Sequence, residues 1–167
     1  FAGNNSFTLT RDMNLNPADG VAGSRIFRVF SDPESDVGVT IAGNISDGVT
    51  VTGQYAFLKA NQGTLRLTGA NTFRGGVQVN GGTLAVDSDA AMGALSNSLA
   101  FNAAQINLNG GTLRFLNTET TSIVLDPLRG ITLSAAGSSI QVDAGTTVTY
   151  TGGPIAGAFA LTKLGTG

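Results

Sequence analysis

Apolar and polar residues alternate along most of this chain, in runs of three to five residues that end at Gly or Asn. Leu65 and Leu67 lie two apart, as do Val77 and Val79, Leu84 and Val86, Ile106 and Leu108, and Leu113 and Phe115. The same spacing returns at Ile131 and Leu133, Ile140 and Val142, and Val148 and Tyr150. Period two is the mark of a half-buried strand, so these pairs are the expected inward positions. Gly43-Asn44, Asp47-Gly48, Gly75-Gly76, Gly81-Gly82, Gly110-Gly111 and Asp143-Ala144-Gly145 separate the runs. Gly adopts positive φ without steric cost and Asn tolerates it, so each cluster predicts a sharp corner. One helical turn is expected at Ala90–Leu95, with Ser88 or Asp89 as its N-cap and Gly93 as its stop. Met92 in that turn reads as a core gap-filler.

The strand–corner pattern repeats itself. Asn109-Gly110-Gly111-Thr112-Leu113 copies Asn80-Gly81-Gly82-Thr83-Leu84, 29 residues earlier. Longer-range echoes link Phe1–Phe7 with Leu67–Phe73, Arg11–Leu15 with Arg129–Leu133, Gly43–Ile45 with Gly153–Ile155, and Lys163–Gly167 with Lys59–Gly63. Stacked coils explain such repetition, since no single coil buries its own apolar face. No helices stand between the strands to make βαβ crossovers. Asn-Gly and Asp-Gly pairs also suit two-residue hairpins, which leaves an antiparallel sandwich as the structural alternative.

The stretch from Phe57 to Val86 carries a family resemblance. It is similar to the passenger-associated transport repeat of bacterial autotransporters. Lys59, Gly63, Thr64, Leu65, Leu67, Gly69, Asn71, Thr72, Gly75, Val79, Gly82, Thr83, Leu84 and Val86 fall on the motif's positions. Asn61 stands where Gly is usual, Phe73 where Tyr is usual, and Val77 where Thr is usual. Asn keeps a left-handed corner, Phe keeps the ring and Val keeps the β-branch. The resemblance implies an all-β, right-handed parallel β-helix exported to the surface or extracellular matrix of a Gram-negative bacterium. Rungs of roughly 20 to 25 residues would give about seven of them, and a length of roughly 35 Å. Asn71, Thr72 and Asn109 would then stack as polar ladders at the corners.

The whole chain, 1–167, reads as one such segment without complete caps. The least repetitive part is 16–35, which reads as an enlarged corner or an excursion from the solenoid. Within it Arg25–Phe30 reads as a strand with two basic side chains, Arg25 and Arg28. Asp32, Glu34 and Asp36 follow as an acidic corner, a poor match to the six to eight oxygens of a Ca²⁺ shell. Both chain ends fall inside repeats, nearly in phase with one another. Copies joining head to tail into a filament is one expectation from this, and a cut through a longer passenger is the other.

Composition narrows the chemistry. With 24 Gly, 41% apolar and 12% charged residues, the chain is not of the disordered type. A net charge of −2 and only two lysines, Lys59 and Lys163, leave no basic stripe for nucleic acid. No run approaches a membrane span. There is no Cys or His, which removes Ser-His-Asp and Cys-His catalysis. Asp87 and Asp89 are the nearest approach to a carboxylate pair. Both lysines are motif lysines and read as corner residues, and Phe73 and Phe101 read as packing rather than ligand-stacking rings. No cofactor or metal is expected. The first functional expectation is a stalk or adhesive scaffold, not an enzyme. The alternative is a surface binding module in which Arg25 and Arg28 on the 16–35 loop take acidic host or matrix glycans.

Overall fold

The computed structural model describes residues 6–16, 23–30, 38–48, 54–96, 100–117 and 122–167. The expected strand Val49–Val51, the acidic corner at Asp32, Glu34 and Asp36, and the opening copy Phe1–Asn5 lie outside them.

Every strand pairing among the described residues is parallel, and two long sheets carry the stack. The first sheet has seven strands. They are Phe7–Leu9 (β1), Val39–Ile41 (β4), Thr64–Leu67 (β7), Thr83–Val86 (β9), Thr112–Phe115 (β11), Ser139–Val142 (β14) and Thr162–Leu164 (β17). The second has six: Gly23–Arg28 (β3), Tyr55–Ala60 (β6), Val77–Asn80 (β8), Asn102–Asn109 (β10), Arg129–Ala135 (β13) and Ala156–Gly157 (β16). The chain alternates between the sheets and advances one strand position in each with every circuit. This is the architecture of a parallel β-helix, and not of an antiparallel sandwich.

A third run completes the circuit. It holds Met13–Asn14 (β2) beside Ile45–Ser46 (β5), then the segment around Asn71, then the 3-10 turn Ala90–Met92, then Ser122–Leu125 (β12) beside Thr147–Tyr150 (β15). The short turn ends at Gly93, with φ +85°, and the Ser88 hydroxyl accepts from the Ala91 amide.

Register is kept from coil to coil. Leu65 pairs with Leu84, Leu84 with Leu113, and Leu113 with Ile140. In the second sheet Phe57 pairs with Val77, Val77 with Ile106, and Ile106 with Ile131. A parallel, in-register stack thus lays apolar on apolar along the axis and removes each column from water. The expected inward positions are buried, apart from Ile140, Val148 and Tyr150, which are partly buried against the core. Phe27, Phe57 and Phe73 add a ring stack with centroids 4.3 and 5.7 Å apart. Coil length varies meanwhile, from 19 residues between Leu65 and Leu84 to 32 between Phe7 and Val39.

Of the stretch 16–35, Gly23–Arg28 is the edge strand of the second sheet, paired along its length with Tyr55–Ala60. Residues 17–22 and 31–35 lie outside the description.

Candidate functional site: the repeat motif and its corners

The motif begins on β6, whose alternate residues Tyr55, Phe57 and Lys59 are fully buried. Lys59 therefore sends its side chain inward at an apolar position. Its ammonium donates to the carbonyls of Ala60 (3.0 Å), Asn61 (2.6 Å) and, one coil on, Gly81 (3.2 Å). Burial pushes its pKa down to about 8. The three carbonyls supply acceptors for the three protons of the charged form, which makes the burial tolerable.

Asn61 holds φ at +68° and is the one non-glycine residue described with a positive φ. Gly63 follows because the corner is crowded: a Cβ there would overlap the Phe30 carbonyl oxygen of the coil before. Its amide donates to Val29, and its carbonyl accepts from Thr83 of the coil after. Thr64, Thr83, Thr112 and Ser139 stack in register beyond this corner, with the Thr112 and Ser139 hydroxyls 2.7 Å apart. At the same corner in the following coils the Asn109 amide donates to Asn80 Oδ1 at 3.1 Å, a polar ladder of the expected kind.

Asn71 does something different. Gly69–Gly75 form no strand, so the shortest coil leaves its neighbours without a full backbone ladder on the third run. The Asn71 side chain, 5% exposed, fills the gap as a substitute peptide group. Its Oδ1 accepts from the Ile45 amide at 2.7 Å, and its Nδ2 donates to the Ala91 carbonyl at 2.6 Å. The main chain follows suit, with Asn71 N donating to Ala90 and Thr72 N to Ile45. Thr72's side chain is exposed, while Phe73 is buried in the ring stack.

Carboxylates and arginines tie coils together. Asp87 and Asp89 do not form a working pair, because each faces its own arginine. Asp87 lies 3.8 Å from Arg66. Asp89 accepts from Arg129 Nε at 2.9 Å and Nη2 at 3.1 Å. Arg129 is 2% exposed and also donates to the carbonyls of Met92 and Gly93, so it pins the 3-10 turn from the following coil. Arg74 reaches Asp47, itself buried, and Arg114 grips Asp143 with two bonds. Burial raises the Asp143 pKa, but hydrogen bonds and charge from Arg114 outweigh it and leave the carboxyl below its ordinary value. Sequence reading missed the Arg129 clamp. Its only signal was an arginine at the head of an inward-facing strand.

The structure does not bring Arg25 and Arg28 together. Three residues apart on one strand, they face opposite sides. Arg25 lies on the core side, its guanidinium carbon 4.9 Å from the centre of the Tyr55 ring. Arg28 is exposed on the outer face with Ile26. Phe101 is 41% exposed, and Lys163 donates to the carbonyls of Gly165 and Gly167. Lys163 sits in the first sheet, opposite Ile140, whereas Lys59 sits in the second. Among the described residues, no group of acidic side chains is arranged to hold a metal ion, and no helix is long and apolar enough to cross a membrane.

By the two matches that follow, the chain belongs to the repeats of the autotransporter passenger class, which is displayed at the surface of Gram-negative bacteria or secreted from them. The family model described as passenger-associated-transport-repeat matches residues 57–86. Over 117 residues, 70% of the chain, the sequence is 40% identical to the adhesin BmaC autotransporter of Brucella suis biovar 1 (strain 1330). The chain spans 3% of that relative's length. No solved structure matches it.

Proposed function

We propose that this segment is a shaft element of a surface-displayed passenger, holding other parts of its protein away from the cell. The observation that carries this reading is where the charged side chains go. Lys59, Arg66, Arg74, Arg114 and Arg129 all bind groups of a neighbouring coil or corner. These five charges are committed to stacking, which suits a non-enzymatic scaffold. Excising one whole coil, residues 113–139, rejoins Thr112 to Ile140 in register and takes Arg114 and Arg129 out with it. A shaft shortened by one strand spacing, about 4.8 Å, should still fold and resist protease. Collapse to an unfolded chain would count against a modular stack.

An adhesive role is the finer reading, supported by the relative's name as an adhesin. Arg28, exposed beside Ile26, offers a cation to acidic glycans. Arg28→Ala should weaken binding to a sulfated glycan array several-fold. Equal binding would remove this residue from the reading. A further refinement joins copies end to end through the edge strands of the two sheets. Electron microscopy of the isolated chain at rising concentration tests it. Filaments support it, and single particles throughout overturn it.

A further inference from the structure

The column through Phe57 changes character at one place. Phe57, Val77, Ile106 and Ile131 stack in register and are at most 2% exposed. The residue that continues this column on the edge strand β3 is Arg25, paired with Phe57. A charge therefore stands where each of these interior coils has a fully buried apolar side chain. It is half-buried, rests over the Tyr55 ring, reaches the neighbouring Ser24 carbonyl only at 3.5 Å, and has no carboxylate partner among the described residues.

Two other inward cations show what a covered position demands. Lys59 has three carbonyls, and Arg129 has Asp89 with two more carbonyls. A coil laid over β3 would strip water from Arg25. Burying a guanidinium with no counter-charge and one long carbonyl bond is strongly unfavourable, and inward-pointing charge is a common guard on a sheet edge.

We propose that Arg25 selects what stacks on this edge: a coil presenting a carboxylate opposite it, in preference to an apolar coil. This rests on the stacked-coil reading above. For a second copy the consequence is specific. The opposite edge of the second sheet is β16, where Thr132 pairs with Ala156. Continuing that register by one residue puts Ile155 in the column of Ile131. Ile155 is 42% exposed. Copies meeting end to end in register would press Ile155 onto Arg25, so the end-to-end joining proposed above needs a high concentration of this sequence.

Sedimentation velocity on the full 167-residue chain and four variants tests the selection. Arg25→Leu removes the charge, and Ile155→Glu supplies a partner for it. Each alone should lower the concentration for end-to-end joining about tenfold or more. The double variant should fall back, because the introduced carboxylate would then face leucine. Arg25→Lys should behave as the parent. If the parent joins as readily as Arg25→Leu, or if neither single variant joins more readily than the parent, the selection by Arg25 is overturned. Circular dichroism of each variant reports the stacked fold separately, so failure of the shaft reading is visible as loss of β signal.

Discussion

Asn61 and Gly165 share a left-handed corner, with φ +68° and +75°, and each carbonyl accepts a hydrogen bond from a lysine two residues earlier. The Lys59 ammonium lies 2.6 Å from Asn61 O, and the Lys163 ammonium 2.9 Å from Gly165 O. The two hooks stand in different sheets. A Lys-x-Gly or Lys-x-Asn triplet is thus a local device: the left-handed residue turns its carbonyl back toward the ammonium, wherever in the coil it falls.

Asn61→Gly should therefore be close to neutral. Asn61→Ala forces a Cβ into the left-handed region and should cost about 1 kcal/mol. Urea denaturation of the two variants measures the difference. Equal stability would mean the corner relaxes to another conformation.

Lys59 gives the fold a signature in alkali. Its pKa is about 8 in the folded chain against 10.5 for the free group. Between those values the unfolded chain holds the proton more tightly than the folded one. Unfolding then takes up a proton, and the Lys59 contribution to stability rises with pH from about 8 toward 10.5. It is lowest, and constant, below that window. The difference in stability between wild type and Lys59→Met should consequently slope with pH in this range and be flat at about pH 6 to 7. A flat difference throughout would show that the ammonium is not desolvated.

Asn71 tests the substitute-peptide role. Asn71→Ala leaves the Ile45 amide and the Ala91 carbonyl without their partner inside the stack, at a cost of about 2 to 4 kcal/mol. Asn71→Asp keeps the acceptor for Ile45 but turns an oxygen on the Ala91 carbonyl. It should be no better than alanine at neutral pH and should recover in acid, where the protonated carboxyl can donate. Hydrogen exchange at Ile45 and thermal melts at two pH values read both effects.

Removing one partner of the Arg129–Asp89 pair strands the other. Arg129→Met leaves Asp89 with only the Asp126 amide, strips the Met92 and Gly93 carbonyls of their donor, and should destabilise by about 3 kcal/mol or more. The double change Arg129→Met with Asp89→Asn should recover part of that loss. Strict additivity in the cycle would show that the pair is uncoupled.

The contrast between near and distant repeats explains what was legible in the sequence. The 29-residue echo of Asn80–Leu84 in Asn109–Leu113 is a true one-coil step, with Leu84 paired to Leu113. Echoes several coils apart do not mark the same place. Phe7 pairs with Val39 in the first sheet, while its sequence counterpart Phe73 lies on the third run. Met13 sits on the third run, and its counterpart Ile131 in the second sheet. Pairing locks register only between adjacent coils, and coils of unequal length let phase drift across several of them. Alternation likewise assigned Leu65, Val79 and Leu113 to the core from the sequence alone. It could not say that Arg129 is buried, since its partner Asp89 lies 40 residues away.

Coils of 19 and of 32 residues keep the same two ladders, so the difference in length falls between the paired strands. Insertions and deletions there need not propagate. A lineage can rewrite the length and chemistry of one flank, coil by coil, while the shaft's rise per coil stays constant. The molecule separates what natural selection may vary from what it must conserve, and it does so along the circumference rather than along the chain.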